Sequence, residues 1–374
     1  MKFEILYQSK KSRARVGRIH TPHGVIDTPN FVAVGTNGSI KGLDSLVVEN
    51  LGIQLMFCNT YHLLLQPGSK LIQQAGGLHR FMNRTAPIIT DSGGFQVFSL
   101  AYGGVASELK SQGTKKTDAS VVKITEDGVW FKSYRNGDKI FLTPESSIQA
   151  QKELGADIMI SFDELPPYHT DQQSLEKSLE RTHRWEKRSL DAHLANPNHQ
   201  ALYAVIHGGV DINLRKKSCE YLSSLPFDGF GIGGSLGKNK PEMINMLTQV
   251  MPSVPTERPN HLLGIGDLPS IAECIPLGLD TFDSSYPTKA ARHGTILTPD
   301  NQHYNVTRTR FALHQRPLVD DCTCYTCQNY TASYLQHLFR AHETTAMNLA
   351  SIHNLHVMVT VMAEYRRKIA DGEI

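Results

Sequence analysis

Long apolar segments and a strong net charge are both missing from this sequence of 374 residues. No run reaches the length of a transmembrane helix, and Met1 to Ile5 lack the apolar core of a secretory signal, so we expect a cytoplasmic protein. The 38 basic and 36 acidic residues give a net charge of +2 at pH 7. That balance excludes a global basic field for nucleic acid, so any basic surface has to be local.

Cysteine is scarce, with six residues, of which Cys58, Cys219 and Cys274 are scattered as expected for small core or near-surface residues. The other three form the cluster Cys322-x-Cys324-x-x-Cys327. In a reducing compartment such a cluster indicates a metal site before a disulfide. Three cysteines and one histidine make a closed tetrahedral zinc site, and a site without an open position is structural.

A downstream histidine has to supply the fourth ligand, and the candidates are His337, His342, His353 and His356. We expect a helix near Tyr334 to Leu349 to separate the third ligand from the fourth. His353 follows that segment and is therefore favoured. The alternative is three reduced thiols that hold no metal.

Short apolar runs recur from Pro29 onward, and each is followed by a turn and a helical pattern. Buried parallel strands have unbroken apolar runs, and alternation of strand with helix predicts parallel pairing. Eight such units predict an α/β fold, the (β/α)8 barrel. The runs are Asn30–Val34, Ile53–Phe57, Ala86–Ile89, Ile158–Ser161, Leu202–Ile206, Gly229–Ile232, Leu262–Ile265 and Leu279–Phe282.

Other segments do not follow this alternation of strand and helix. Residues 2–27 predict antiparallel hairpins before the barrel, and residues 121–142 predict a second group inserted in the third unit. Thr143 and Pro144 are typical of the N-cap and first position of a helix. The segment Ala101 to Asp118, rich in Gly, Ser and Lys, is predicted to be a mobile loop.

After the eighth strand the pattern changes. Residues 301–355 contain the cysteine cluster and predict a zinc-binding subdomain. A final helix, His356 to Ile369, has apolar residues on one side and is predicted to pack on the barrel. The barrel domain is therefore 1–300, including the N-terminal hairpins, and is completed by the C-terminal helix in 356–374.

Polar side chains follow the predicted strands, whose carboxyl ends meet at one mouth of a barrel, where chemistry takes place. Asp91, Asp163 and Asp283 fall there without an obvious set of metal-binding histidines. Paired carboxylates acting at a carbon next to oxygen are typical of glycosyl transfer, in which one attacks the anomeric carbon and the other moves protons. Each aspartate alone is more typical of a turn or cap, but the shared position favours catalysis.

Two cations, Lys289 and Arg292, lie within nine residues of Asp283 and suit a substrate that carries phosphate. Solvated surface cations are the alternative. The pair Gly233-Gly234 lets backbone N–H groups approach a flat ligand, and Phe95 offers a face on which a base could stack.

At these residues the sequence resembles the tRNA-guanine transglycosylases, the queuine tRNA-ribosyltransferase family, in their bacterial form. The matching motifs run in family order over almost the whole chain and are specific in combination. They are Asn59-Thr-Tyr-His62, Asp91-Ser-Gly-Gly-Phe-Gln96, Phe162-Asp-Glu164, Gly233-Gly234, Phe282-Asp283 with Pro287-Thr288, and Cys322-x-Cys-x-x-Cys327 with His353.

The resemblance implies an irregular (β/α)8 TIM barrel with a zinc subdomain inserted before the last helix. It implies exchange of the wobble guanine in tRNAs with GUN anticodons, those for aspartate, asparagine, histidine and tyrosine, for a 7-deazaguanine base. A homodimer is implied as well. The family's structural Zn²⁺ would be held by Cys322, Cys324, Cys327 and His353.

The family's site residues carry over by position. Asp283 is expected to attack ribose C1′ and form a covalent intermediate, and Asp91 to deprotonate the incoming base. Asp163 is expected to read the guanine-like edge while the Gly234 N–H faces the base carbonyl. The remaining substrate-binding residues are Phe95 and Leu263, which sandwich the ring, with His207, Ser92, Asn59 and Lys238. The RNA-binding residues are Lys289 and Arg292.

The sequence departs from the common bacterial pattern at four places. His207 replaces a glutamine, Phe95 a tyrosine and Lys289 an arginine. The segment Ser235-Leu-Gly-Lys238 is one residue shorter than usual and ends in Lys where the family has a glutamate beside the ammonium of queuine's aminomethyl precursor. Because like charges repel, queuine is the expected incoming base and the aminomethyl precursor is the alternative.

Two other functions use the same residues. A retaining glycoside or nucleoside hydrolase would need the carboxylates but leaves the zinc insertion and the basic segment after Asp283 unexplained. A non-catalytic RNA-binding partner subunit would be expected to lose catalytic aspartates, and both Asp91 and Asp283 are present.

Overall fold

The structure is a computed structural model that describes residues 1–102 and 121–374. Its strands within those ranges are numbered here in chain order. They are β1 Lys2–Gln8, β2 Arg15–Thr21, β3 Gly24–Thr28, β4 Asn30–Val34, β5 Met56–Cys58, β6 Ile88–Thr90, β7 Val121–Ile124, β8 Val129–Lys132, β9 Lys139–Leu142, β10 Ile158–Ile160, β11 Ala201–Ile206, β12 Gly229–Ile232, β13 Asn260–Leu262, β14 Thr281–Ser284, β15 Thr295–Ile296 and β16 Tyr304–Asn305.

The helices are numbered in the same way. They are α1 Ser45–Asn50, α2 Thr60–Leu65, α3 Ser69–Gln74, α4 Gly77–Met82, α5 Gly94–Tyr102, α6 Pro144–Leu154, α7 Gln172–Ala195, α8 Ile212–Ser223, α9 Lys240–Val250, α10 Leu268–Cys274, α11 Tyr286–Arg292, α12 Tyr325–Asn329, α13 Ala332–Arg340 and α14 Thr344–Ala370. Short 3-10 turns lie at Met251–Ser253, Ile275–Leu277 and Thr309–Phe311.

A closed parallel barrel forms the centre of the molecule, with the strand order β4, β5, β6, β10, β11, β12, β13, β14. β14 pairs with β4 from Thr281 opposite Asn30 to Ser284 opposite Ala33, which closes the ring. The strands are buried because helices cover the outside and side chains fill the inside. The predicted (β/α)8 barrel is therefore confirmed.

Each of the eight predicted runs corresponds to one barrel strand, but several ends differ by one to three residues. The seventh strand was expected at Leu262–Ile265 and lies at Asn260–Leu262, so it begins with two polar residues. The eighth was expected at Leu279–Phe282 and lies at Thr281–Ser284, so Asp283 belongs to the strand itself. Backbone pairing with neighbouring strands, which hydropathy does not report, sets these ends.

The N-terminal strands β1, β2 and β3 form an antiparallel sheet, as predicted. Arg15 on β2 donates two hydrogen bonds to the carboxylate of Asp280, at 2.8 and 2.6 Å, and both side chains are buried. The N–H of Asn260 donates to the same carboxylate at 2.9 Å. This ion pair therefore ties the N-terminal sheet to the start of β13 and β14.

The predicted insertion is an antiparallel sheet of β7, β8 and β9, which confirms its hairpins. Thr143 caps α6 by accepting a hydrogen bond from the Ser146 N–H, and Pro144 occupies the first turn, as expected. Of the predicted mobile loop, Ala101 and Tyr102 end α5. The rest of that prediction lies outside the described residues.

The C-terminal region differs from prediction in its helices. A helix near Tyr334 to Leu349 and a separate one from His356 were expected, but α14 runs unbroken from Thr344 to Ala370. The break lies earlier, where His342 takes a positive φ of 58° after α13. Because no Gly or Pro interrupts residues 344–370, hydrogen bonding continues through them. The expected boundary at residue 355 therefore falls inside α14.

Residues between β14 and the middle of α14 build a second, smaller hydrophobic core. It comprises Ala291, Ile296, Val306, Phe311, Leu318, Cys324, Cys327, Ala332, Leu335, Leu338, Ala346, Leu349 and Ala350. α14 also packs against α11 and β4, so it joins this core to the barrel. In the two described ranges, no helix is both long and apolar enough to cross a membrane.

Candidate active site and metal centre

A cavity of about 390 Å³ opens at the carboxyl ends of the barrel strands. The carboxylates of Asp91, Asp163 and Asp283 all line it. Of the other predicted site residues, those on its wall are Asn59, Ser92, Phe95, Gly234, Leu263 and Lys289. Barrel closure therefore brings together nine residues that lie up to 230 positions apart in the sequence.

Asp91 follows β6 and is held by donors from the neighbouring strand end. The Asn59 Nδ2 donates to its Oδ2 at 2.6 Å, and the Thr60 N–H donates to its Oδ1 at 2.8 Å. Burial raises the pKa of Asp91 to about 6, although these hydrogen bonds act in the opposite direction. A carboxyl group with that pKa can both accept and release a proton near neutral pH.

Asp163 is fixed from two sides. The Ser92 hydroxyl donates to its Oδ1 at 3.2 Å, and the Nε2 of His207 lies 2.7 Å from its Oδ2. Gly234 has a φ of +74°, and a Cβ added there would lie 2.6 Å from the Nδ1 of His207. Glycine at this position therefore leaves room for the histidine, and its backbone lines the cavity.

A buried glutamate lies behind this pair. The Glu186 Oε1 accepts hydrogen bonds from the Val205 N–H at 2.6 Å and the Ser161 hydroxyl at 3.1 Å. Val205 is two residues before His207, and Ser161 is two before Asp163. Burial raises the pKa of Glu186 well above its ordinary value, which disfavours a second charge behind Asp163.

Asp283 is held through one of its two oxygens. Its Oδ1 accepts a hydrogen bond from the Gly264 N–H at 2.7 Å and lies 3.0 Å from the Nε2 of His261. The side chain of His261 is fully buried, and its Nδ1 lies 2.8 Å from the Thr281 hydroxyl. The sequence interpretation missed His261 because the predicted strand began one residue after it.

Three predicted site residues do not line the cavity. His207 lies behind Asp163, as described above. Arg292 lies at the end of α11, three residues from Lys289 and on the same side of the helix. Lys238 is exposed, and its backbone N–H donates to Glu242 Oε2 at 2.7 Å.

The predicted metal ligands converge in the smaller core. The Nδ1 of His353 lies 3.7, 3.4 and 3.4 Å from the sulfurs of Cys322, Cys324 and Cys327. Tetrahedral zinc with ordinary bond lengths would place sulfur and nitrogen about 3.6 Å apart. The His353 Nε2 donates to the Leu297 carbonyl at 3.0 Å, which turns the Nδ1 lone pair toward the sulfurs. The group can therefore bind a metal ion and fits zinc.

A second group of ligand atoms, from His23, His79 and Asp157, lies at the amino-terminal end of the barrel. Its two imidazole rings are stacked, with centroids 3.5 Å apart and planes 14° from parallel. One ion cannot lie in both ring planes, so this arrangement does not suit a metal. The His23 Nδ1 is instead 2.8 Å from the Asp157 carboxylate, which ties the β2–β3 turn to the barrel.

One family of known proteins matches this chain over the residues that form the cavity and the cysteine group. The model of the family described as "Queuine tRNA-ribosyltransferase" matches residues 9–374. The chain belongs to this family. A queuine tRNA-ribosyltransferase of Protochlamydia amoebophila is 62% identical over 373 residues, which cover 100% of this chain and 96% of the relative. The proteins of that name from Chlamydia felis and Chlamydia trachomatis serovar D are 56% and 54% identical over the full length of both chains.

Family membership makes the protein a tRNA-guanine transglycosylase, a transferase that moves a ribosyl group. The resemblance stated from the sequence motifs is thus confirmed. The cavity is consistent with such chemistry because carboxylates, glycines and an aromatic residue share its wall.

The raised pKa of Asp91 predicts a pH-dependent cost to stability. Because its pKa rises from 3.8 to about 6 on folding, folding favours the protonated form. The resulting stabilisation is present below about pH 4 and is lost as the pH rises through about 6. The free energy of unfolding of the parent, minus that of Asp91→Asn, should fall by up to about 3 kcal/mol across this range.

Urea denaturation at a series of pH values measures this difference. Asp320→Asn, which alters an exposed carboxylate, is the control and should give a difference that changes little with pH. A parent-minus-Asp91→Asn difference that is flat or rises between pH 4 and 6 would contradict the burial argument.

Proposed function

We propose that the protein exchanges the wobble guanine of GUN-anticodon tRNAs, those for aspartate, asparagine, histidine and tyrosine, for a 7-deazaguanine base. The exchange proceeds by double displacement through a covalent Asp283–ribose intermediate. The observation that carries this proposal is that the donors to Asp283 meet only one of its two oxygens. His261 on β13 and the Gly264 N–H in the turn after it both face Oδ1, and the carboxylate lines the cavity. Its Oδ2 is thereby left to attack.

In the first displacement, a bond forms between Asp283 Oδ2 and ribose C1′ while the bond from C1′ to the base nitrogen breaks. The departing guanine takes the bonding electrons and a proton from the protonated carboxyl of Asp91, which leaves Asp91 ionised for the next step. In the second displacement, Asp91 removes a proton from the ring nitrogen of the incoming base, which attacks C1′ and releases the carboxylate. The pKa of Asp91, near 6, suits a group that exchanges protons in both directions.

Asp163 is proposed to read the base by accepting hydrogen bonds from its guanine-like edge. The support is its orientation, which Ser92 and His207 hold from opposite sides. The Gly234 N–H would face the base carbonyl, with Phe95 and Leu263 on the two faces of the ring. The other proposed substrate-binding residues on the cavity wall are Asn59 and Ser92.

RNA is proposed to approach over α11. Lys289 lies at the cavity edge and Arg292 one turn further on, so both cations can meet phosphates that flank the extruded nucleotide. A base must leave its stack to enter such a cavity, and an anticodon loop permits this at lower cost than a duplex. We also propose, from the family resemblance, a homodimer that works in the cytoplasm.

The covalent step predicts a trapped adduct that depends on Asp283. Asp283→Asn should abolish both base exchange and the enzyme–RNA adduct because an amide oxygen is a poor nucleophile, whereas tRNA binding should persist. Mass spectrometry of the denatured reaction detects the adduct, and filter binding measures the RNA.

The exposed Asp300→Asn variant is the control and should form the adduct as the parent does. An adduct that survives Asp283→Asn would remove Asp283 from the role of nucleophile.

Queuine is proposed as the incoming base in preference to its aminomethyl precursor. The carboxylates that line the described cavity are Asp91, Asp163 and Asp283, and each has a proposed role. Glu242, beyond the shortened segment, accepts hydrogen bonds from the Lys238 N–H at 2.7 Å and the Tyr168 hydroxyl at 3.1 Å. A primary ammonium on the base would therefore gain no dedicated acid at this wall.

The charge of Lys238 makes a smaller contribution than its sequence position suggests. Its side chain is exposed, so water screens its repulsion of a bound ammonium to about 1 kcal/mol or less. The main support for queuine is thus the lack of an acidic residue for the ammonium on the described cavity wall, together with the shorter segment that ends at Lys238. The alternative remains the same reaction with the aminomethyl precursor.

Incorporation of each base into unmodified tRNA should show higher kcat/KM for queuine in the parent. Lys238→Glu should shift the ratio toward the aminomethyl precursor by up to about fivefold, since one exposed charge pair contributes about 1 kcal/mol. Lys216→Glu makes the same charge change on the exposed side of α8 and should leave the ratio unchanged. Efficient use of the precursor with little queuine incorporated would reject the preference.

One structural Zn²⁺ per chain is proposed, held by Cys322, Cys324, Cys327 and His353 within the zinc-binding subdomain of residues 301–355. The support is the fit of the sulfur–nitrogen distances and the hydrogen bond from His353 Nε2 to the Leu297 carbonyl. Four protein ligands leave no open position, so the ion holds the smaller core together.

Metal analysis should find one zinc per chain in the parent. His353→Ala should lose zinc and lower the melting temperature because metal-binding energy is folding energy here. His356→Ala, three residues along α14 and partly exposed, is the matched control and should keep both. A zinc-free parent with undiminished stability would contradict the structural role.

A further inference from the structure

Three side chains of the last two barrel strands form a continuous polar row that ends at the cavity wall. His261 on β13 pairs in register with Thr281 on β14, and Asp283 lies two residues further along β14 on the same face. The contacts run from the Thr281 hydroxyl to His261 Nδ1 at 2.8 Å, and from His261 Nε2 to Asp283 Oδ1 at 3.0 Å. His261 is fully buried and does not itself line the cavity.

The chemistry of these groups places a proton on His261 Nε2. An ionised carboxylate only accepts hydrogen bonds, so the nitrogen that faces Asp283 has to be the donor. Thr281 is compatible with this in either protonation state of the ring, because a hydroxyl can donate to a bare Nδ1 or accept from a protonated one. In the second case its own proton reaches the Asn260 carbonyl, 3.1 Å away.

We propose that His261 is a positioning residue whose Nε2–H, together with the Gly264 N–H, directs Asp283 and helps it leave ribose in the second displacement. This inference rests on the proposed covalent intermediate. While Oδ2 is bonded to C1′, Oδ1 is the carbonyl oxygen of the ester. When the incoming base forms its bond to C1′, the C1′–Oδ2 bond breaks and negative charge returns to the carboxylate that the two donors face.

The consequence is an asymmetry between the two displacements. A donor on Oδ1 stabilises the free carboxylate more than the neutral ester, so it makes Asp283 a better leaving group and a weaker nucleophile. Loss of the donor should therefore slow the second displacement more than the first. Enzyme–RNA adduct should accumulate during turnover.

His261→Phe removes the donor while keeping an aromatic ring of similar size. The expected result is a fall in kcat of about 10- to 100-fold, in the range for loss of one preorganised donor, with KM for tRNA changed much less. The steady-state adduct should rise above that of the parent. His261→Gln, whose amide N–H can reach the same oxygen, should recover part of kcat and lower the adduct again.

Thr281→Val is the second variant because it leaves His261 in place and removes only the group that orients the ring. It should lower kcat and raise the steady-state adduct as His261→Phe does, but by smaller factors. If His261→Phe does not fold, Thr281→Val tests the proposal in its place. Folding is checked by melting temperature and zinc content.

Parent-like kcat and adduct in folded His261→Phe or Thr281→Val would overturn this inference alone. Equal losses in the Phe and Gln variants would also overturn it, since a purely structural role would not distinguish them. Absence of adduct in the parent would overturn the proposed covalent mechanism and this inference with it.

Discussion

Closure of eight parallel strands forces three buried carboxylates to share one cavity, and the rest of the site follows from the need to hold them there. Asp91, Asp163 and Asp283 lose most of their hydration, so each requires fixed donors. The donors differ in kind. Asp91 receives an amide and backbone N–H groups, Asp163 a hydroxyl and an imidazole, and Asp283 a backbone N–H and an imidazole on a single oxygen. These different surroundings are what allow three identical side chains to take three proposed roles.

The fold and most of the cavity wall were predictable because their signals are local. Buried parallel strands produce apolar runs, and the residues just after them fall at one mouth whatever the details of packing. His261 was not predictable in this way, since it is a polar residue at the second position of a strand whose start was misplaced. Its role depends on the register between β13 and β14, which appears only when the barrel closes.

The same limit explains the other differences. Lys238 aligns with a family glutamate, but its side chain is exposed and does not line the cavity. Its position in the sequence therefore did not indicate how far it lies from the base. His207 was expected to contact the base, whereas the structure places it behind Asp163. His353 was selected as the residue after a helix and proves to lie within α14. Its Nδ1 nevertheless lies within 3.7 Å of all three cysteine sulfurs, so the proximity does not depend on the expected helix boundary.

The long helix α14 also links the metal group to the surface proposed for RNA. His353 faces the cysteines, and the next residue, Asn354, donates to the carbonyls of Pro287 and Thr295 at 2.9 Å each. Pro287 lies in the first turn of α11, which carries Lys289 and Arg292. The metal group and the proposed RNA-binding helix are therefore held by adjacent residues of one helix, so disorder at the cysteines would reach α11.

The central claim, that one cavity serves both the departing and the incoming base through an enzyme-bound ribosyl ester, is tested most directly by initial-velocity kinetics. Exchange rates would be measured while tRNA and the free base are varied independently. The account predicts parallel lines in a double-reciprocal plot, because guanine leaves before the second base binds and the enzyme alternates between two forms. Lines that intersect would show that both substrates are bound before any product leaves, and would contradict it.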